Sequence, residues 1–252
     1  MKKPRLSAPK FAEYMSASTL RRKRIIQDAQ NPQPFIVNTY EGARDCVADY
    51  LISENMDAEI ILATIEELRS SEKEKPMDVK NAKLCIEALN RFLMHSGALD
   101  GQLALTRSKG PLSAKKLNFG TVEISVQPEV LLRTSYRGKQ VLGAIKLLFR
   151  KNGGPTPEVG TDVATLLKLH LEEVKNEDEV VLDKYCIVLD VFTGAMYPPA
   201  KAVKRKLQEV EAACEEIANR WQAGIVPEAA SAGLSWQPSE ERHTRVQGRR
   251  VL

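Results

Sequence analysis

Ten cationic side chains stand within residues 101–151: Arg107, Lys109, Lys115, Lys116, Arg133, Arg137, Lys139, Lys146, Arg150 and Lys151. Only two acids, Glu123 and Glu129, share that stretch, so it carries +8 in a chain whose total is +4. Guanidinium and ammonium groups neutralise phosphates and release their counterions. A block of this sign therefore suits the backbone of DNA or RNA. Arg21, Arg22, Lys23 and Arg24 form a second cluster, but four consecutive residues wrap around a helix and only part of the run can face one partner. Residues 152–184 swing to −5. Such segregation also permits acidic and basic segments to pair between subunits of a homo-oligomer. Aromatic groups near the block are few, Phe119, Tyr136 and Phe149, which points to backbone contact rather than reading of bases.

The elements that must position these groups change period along the chain. Ser18 caps a helix running to residue 30. Ala43, Val47, Tyr50 and Leu51 share one face of the next. Asp57 caps a third, with Ile60, Ile61, Ile65 and Leu68 inward. Asp78 caps a fourth, with Val79, Ala82, Ile86, Leu89 and Leu93 at helical spacing. From residue 121 the pattern alternates, which predicts a half-buried strand interrupted at Pro128. Residues 101–106 are a further strand candidate. Residues 136–139 read as a tight hairpin turn, followed by a strand over 141–150. If Arg137 and Gly138 make that turn, Val130 faces Ile145, Val126 faces Phe149, and Glu129 meets Lys146 across the hairpin. A cross-strand ion pair of this kind is worth about 0.2–1 kcal/mol. Thr161 is the expected cap of a helix carrying Leu166, Leu167, His170, Leu171 and Val174. Residues 185–192 are apolar on both faces except at Asp190, as in a central covered strand. Val203, Leu207, Val210, Cys214, Ile217 and Trp221 form an unbroken stripe on the last helix. The reading is α+β: an N-terminal helical region (1–96), then a mixed sheet with flanking helices (100–222), then a flexible tail (223–252).

From Val79 onward the order is helix, strand, strand, strand, helix, strand, helix. That order resembles the αβββαβ core of the PD-(D/E)XK nucleases over residues 79–222. The resemblance implies a divalent metal held by acids on the second and third strands, with a lysine beside the attacking water. Carried onto this sequence it implicates Glu123 or Glu129, with Lys146 and Asp190. The third-strand triplet is Ala144-Ile145-Lys146, with alanine in the acid's slot. Asp190-Val191-Phe192 has phenylalanine in the lysine's slot. Neither triplet is complete.

Other chemistries lack their residues. There is no P-loop lysine, GxGxxG, HExxH or GxSxG. The cysteines at 46, 85, 186 and 214 form no CxxC, sit among apolar neighbours and lie away from the histidines. They read as reduced core thiols, without a metal or cofactor. His170 reads as a core histidine. The N-terminus lacks the apolar stretch of a signal peptide, and no run is long enough to span a membrane, so the expected address is cytoplasmic. These features lead to a nucleic-acid-associated, non-enzymatic protein touching phosphates through Arg21, Arg22, Lys23, Arg24, Lys115, Lys116, Arg137, Lys139, Arg150 and Lys151. The alternatives are a divergent metal-dependent nuclease and an oligomeric interaction module.

Overall fold

The computed structural model describes residues 3–32, 39–72, 75–102, 104–111, 115–151 and 153–223. The expected tail lies outside these, apart from its first residue. The chain opens with β1 (Arg5–Ser7), followed by α1 (Ala8–Ser16), α2 (Thr19–Gln30), α3 (Glu41–Ile52), α4 (Ala58–Ser70) and α5 (Pro76–His95). A 3-10 turn (Ser96–Gln102) leads into β2 (Thr106–Lys109), β3 (Leu117–Phe119), β4 (Val122–Ser125), β5 (Val130–Tyr136) and β6 (Lys139–Leu148). Then come α6 (Pro157–Val174), β7 (Glu179–Asp190), β8 (Met196–Tyr197) and α7 (Val203–Ala223). The fold is α+β, with helices first and flanked mixed sheets after.

The large sheet has the order β2-β5-β6-β7-β8. β2, β5 and β6 are antiparallel neighbours, with β3 and β4 intervening in the chain between β2 and β5, and α6 crosses so that β7 runs parallel to β6. Residues 122–136 do not form one interrupted strand. They change sheets at Pro128, which has no N–H to offer a ladder. β4 instead pairs with β1 and β3 in a small sheet of its own. Two helix starts shift upstream of the expected caps, while Ser18 and Asp57 hold theirs. α5 begins at Pro76 and α6 at Pro157, because proline's fixed φ suits the first helical turn. The side chain of Thr156 accepts from the Val159 N–H at 3.3 Å, so Thr156 rather than Thr161 is the cap. Residues 96–102 are 3-10 rather than strand, and the strand begins at Thr106.

Alternation along β6 fills both sides of the large sheet. Leu142, Ala144 and Leu148 join one hydrophobic cluster, while Ile145 and Leu147 join the other. The first cluster contains α1, α2, α6 and α7, with α1 packed on α6 and α2 on α7. The second contains α3, α4 and α5. Helices of the N-terminal region therefore cover opposite faces, and each cluster draws on both halves of the chain. The stripe on α7 buries Val210, Cys214, Ile217 and Trp221, whereas Val203 and Leu207 at its start stay half-buried.

Candidate nucleic-acid interface

The hairpin between β5 and β6 sets the geometry. Arg137 and Gly138 both have positive φ, 52° and 77°, as a two-residue primed turn requires. That turn pairs Val130 with Ile145 and Tyr136 with Lys139. Val126 lies outside the ladder and does not face Phe149. One residue before β5, Glu129 meets Lys146 as the register predicts. Lys146 Nζ donates to Glu129 Oε1 at 2.6 Å, and the Leu147 N–H donates to Oε2 at 2.7 Å. Arg44 of α3 adds its guanidinium at 3.3 Å, and no local signal in the sequence marks that residue. The pair is enclosed, with side-chain exposures of 10% for Lys146 and 6% for Glu129.

Glu129 and Lys146 line a cleft of about 530 Å³ with Arg44, Lys109, Glu41 and Asp45. A second cleft of about 250 Å³ continues from it past Lys10, Glu13 and Arg150. The walls of the first are charge-balanced, and those of the second carry an excess of cations. Lys109 pairs with Asp49, and Lys10, Arg21 and Arg150 all reach Glu13. Burial raises the Glu13 carboxyl, but Arg21, Lys10 and Arg150 outweigh it and hold it below the ordinary value.

Asp190 does not join that cleft. Its Oδ1 accepts from the Phe192 N–H at 3.0 Å and its Oδ2 from the Thr193 hydroxyl at 2.7 Å. It closes the turn after β7, where those two donors satisfy a carboxylate that is 1% exposed. A metal implied by the nuclease resemblance would need free acid oxygens around one point. Glu129 is neutralised, Ala144 is fully buried in the third-strand slot, and Asp190 is turned to its own loop. The donor set does not fit the ion. Among the described residues no group of three or more His, Cys, Asp or Glu could hold a metal. The four cysteines are buried and unbridged, and burial pushes the thiols of Cys186 and Cys214 up to about 12. His170 is 2% exposed, and burial holds it below its ordinary value.

The structure then divides the basic residues by what they touch. Lys109, Lys115, Lys116, Arg133, Lys146, Arg150 and Lys151 each have an acid partner. Those partners are Asp49, Glu173, Glu123, Glu179, Glu129, Glu13 and Glu87, drawn from all along the chain. Arg107 donates to the carbonyls of Ser53 and Glu54. In the α2 cluster Arg21 holds Glu13, and Arg22 donates to the carbonyls of Tyr14, Met15 and Ala17 as well as to Glu216. Arg22 thereby closes the end of α1. Lys23 and Arg24 are exposed and have no acid partner among the described residues.

Of the ten basic residues in the block, Arg137 and Lys139 remain, both at the exposed hairpin tip. Lys184 of β7 joins them. Its ammonium lies 4.4 Å from the centre of the Tyr136 ring and 4.6 Å from that of Tyr185. The Arg137 guanidinium lies 5.3 Å from the Tyr136 ring. Lys184 and Tyr185 carry no sequence signal for this role, because a shift in the β6–β7 register brings them there. The nearby acids are already engaged. Glu179 is held by Arg133 and the Asn176 N–H, and Asp183 by Lys168.

No protein-family model matches this sequence, and no curated protein matches it. A solved structure named SSO0001 aligns with 15% identity over 69% of this chain and 93% of that one, at a TM-score of 0.26. A likeness at that score carries no argument about fold or function. No helix among the described residues is long and apolar enough to cross a membrane.

Proposed function

We propose that this chain is a nucleic-acid-associated protein that binds phosphates at the tip of the β5–β6 hairpin and does not cut them. The observation that carries the reading is the sorting of the charges. Most cations of the basic block are paired inside the chain, while Arg137 and Lys139, with Lys184 beside them, face solvent without an acid partner among the described residues. Exposed, unpaired cations are the ones that release counterions from a phosphate backbone. Lys23 and Arg24 are further contacts of the same kind. Within the large sheet, leaving aside β3 and β4 of the small one, the order α5, β2, β5, β6, α6, β7 supports a degenerate relation to the PD-(D/E)XK core, and the spent carboxylates of Glu129 and Asp190 support binding without hydrolysis.

Anisotropy titrations of labelled DNA and RNA at two salt concentrations test this. Weak, sequence-tolerant binding is expected, with a log–log salt slope of roughly −3 on duplex DNA if three cations engage. Replacing Arg137, Lys139 and Lys184 by alanine abolishes most of it, and Lys151→Ala does not. No binding of either polymer at low salt refutes the proposal. Cleavage with Mg²⁺ or Mn²⁺ that disappears in Lys146→Ala would restore the nuclease reading.

A further inference from the structure

The hairpin tip holds more than charge. β7 shifts register against β6 between Leu142 and Ala144, so Leu142 pairs with Val181 while Ala144 pairs with Cys186. The extra residues of β7 include Lys184 and Tyr185. Bulges of this kind re-aim side chains and recur next to functional sites. Gly143 sits opposite: a Cβ there would lie 2.5 Å from the Tyr185 Cβ and 2.6 Å from its carbonyl oxygen. The glycine allows the bulged strand to approach, and the bulge swings Lys184 toward Tyr136. Next to Tyr136 in the chain, Arg137 occupies a turn position at φ 52°, a conformation that Asn, Asp or Gly adopts more readily. A cation therefore stands at a position whose backbone disfavours it. Tyr136, which both cations approach, is 40% exposed.

We infer that the tip is a single-strand platform, in which Tyr136 stacks a nucleobase while Arg137, Lys139 and Lys184 take the flanking phosphates. The inference rests on the nucleic-acid reading above and names its substrate class. A paired base offers no free face to a ring on a hairpin tip, whereas an unpaired base stacks on any aromatic, without regard to sequence. The cations beside the ring set phosphate neutralisation next to the stacked base.

The test uses the full chain and three labelled probes: a 20-nucleotide single-stranded DNA, the RNA of the same sequence, and the corresponding DNA duplex. Parent, Tyr136→Ala and Tyr136→Phe are titrated at low salt, with thermal melting to show that each variant is folded. The parent is expected to prefer single strands. Tyr136→Ala should lose about 5- to 100-fold in single-strand affinity, the range of one stacked base, and change little toward duplex. Tyr136→Phe should bind like the parent, since the ring and not the hydroxyl stacks. A preference between the DNA and RNA strands identifies which polymer the platform favours, and equal affinity marks it as indifferent to the sugar; either supports stacking. Tyr136→Ala binding single strands as tightly as the parent, or losing duplex and single strand equally, overturns the inference while leaving phosphate binding in place. If the parent binds no polymer, the broader reading falls and the inference falls with it.

Discussion

Replacing Lys146 by methionine probes the centre of the hairpin. The substitution keeps an unbranched chain of similar length and removes the ammonium 2.6 Å from Glu129. An exposed cross-strand pair would lose about 0.2–1 kcal/mol. Here both side chains are nine-tenths enclosed or more, and one hydrogen bond to a charged group is worth about 1.5–3 kcal/mol. A buried charge left wholly unpaired costs about 3–5 kcal/mol. Glu129 would not be wholly unpaired, because the Leu147 N–H at 2.7 Å and Arg44 at 3.3 Å remain. The expected loss is therefore about 2–3 kcal/mol. Urea unfolding, with an unchanged slope, measures it. The double variant Glu129→Gln with Lys146→Met removes the stranded charge but keeps an oxygen for the Leu147 N–H. It should recover about 1 kcal/mol relative to Lys146→Met alone. If Lys146→Met lies within about 0.5 kcal/mol of the parent, or if the double variant is no better than the single, the pair is screened by solvent and the reasoning is wrong.

Two further predictions concern other parts of the fold. Gly143→Ala should cost about 1–3 kcal/mol or more, because its Cβ meets the Tyr185 backbone at 2.6 Å rather than the end of a movable side chain; thermal or urea unfolding close to the parent's would show that the bulge yields. The Glu13 carboxyl is held below its ordinary value, so its contribution to stability is present above the unfolded value and is lost as pH falls through the folded one. Glu13→Gln should thus be less stable than the parent at neutral pH, and the gap should close below about pH 4.5; a gap independent of pH in urea titrations would rule out this linkage.

Local pattern in the sequence determined a good part of this protein. The three-four spacing on α4, α5 and α7 predicts those helices, because each must bury one stripe. Ser18 and Asp57 both stand at the caps expected of them, and the Asp57 side chain accepts from the Glu59 N–H. The Arg137-Gly138 turn dictates the ladder from Val130–Ile145 to Tyr136–Lys139, and with it the meeting of Glu129 and Lys146, since a two-residue turn leaves no freedom of register. Tertiary structure alone decided the rest. β1 is three residues long and exists because β4 lies beside it; no local preference could announce it. Pro128 signals an interruption, but only the presence of that partner turns the interruption into a change of sheet. Charge shows the difference most plainly. A linear count finds a basic block at 101–151, yet Lys151 meets Glu87, Arg150 meets Glu13 and Lys109 meets Asp49. Ion pairing acts through space over a few ångströms, so neighbours in the fold, and not neighbours in the chain, decide which cations remain for a partner. That is why the hairpin tip, with Lys184 borrowed from β7, emerges only once the strands are assembled.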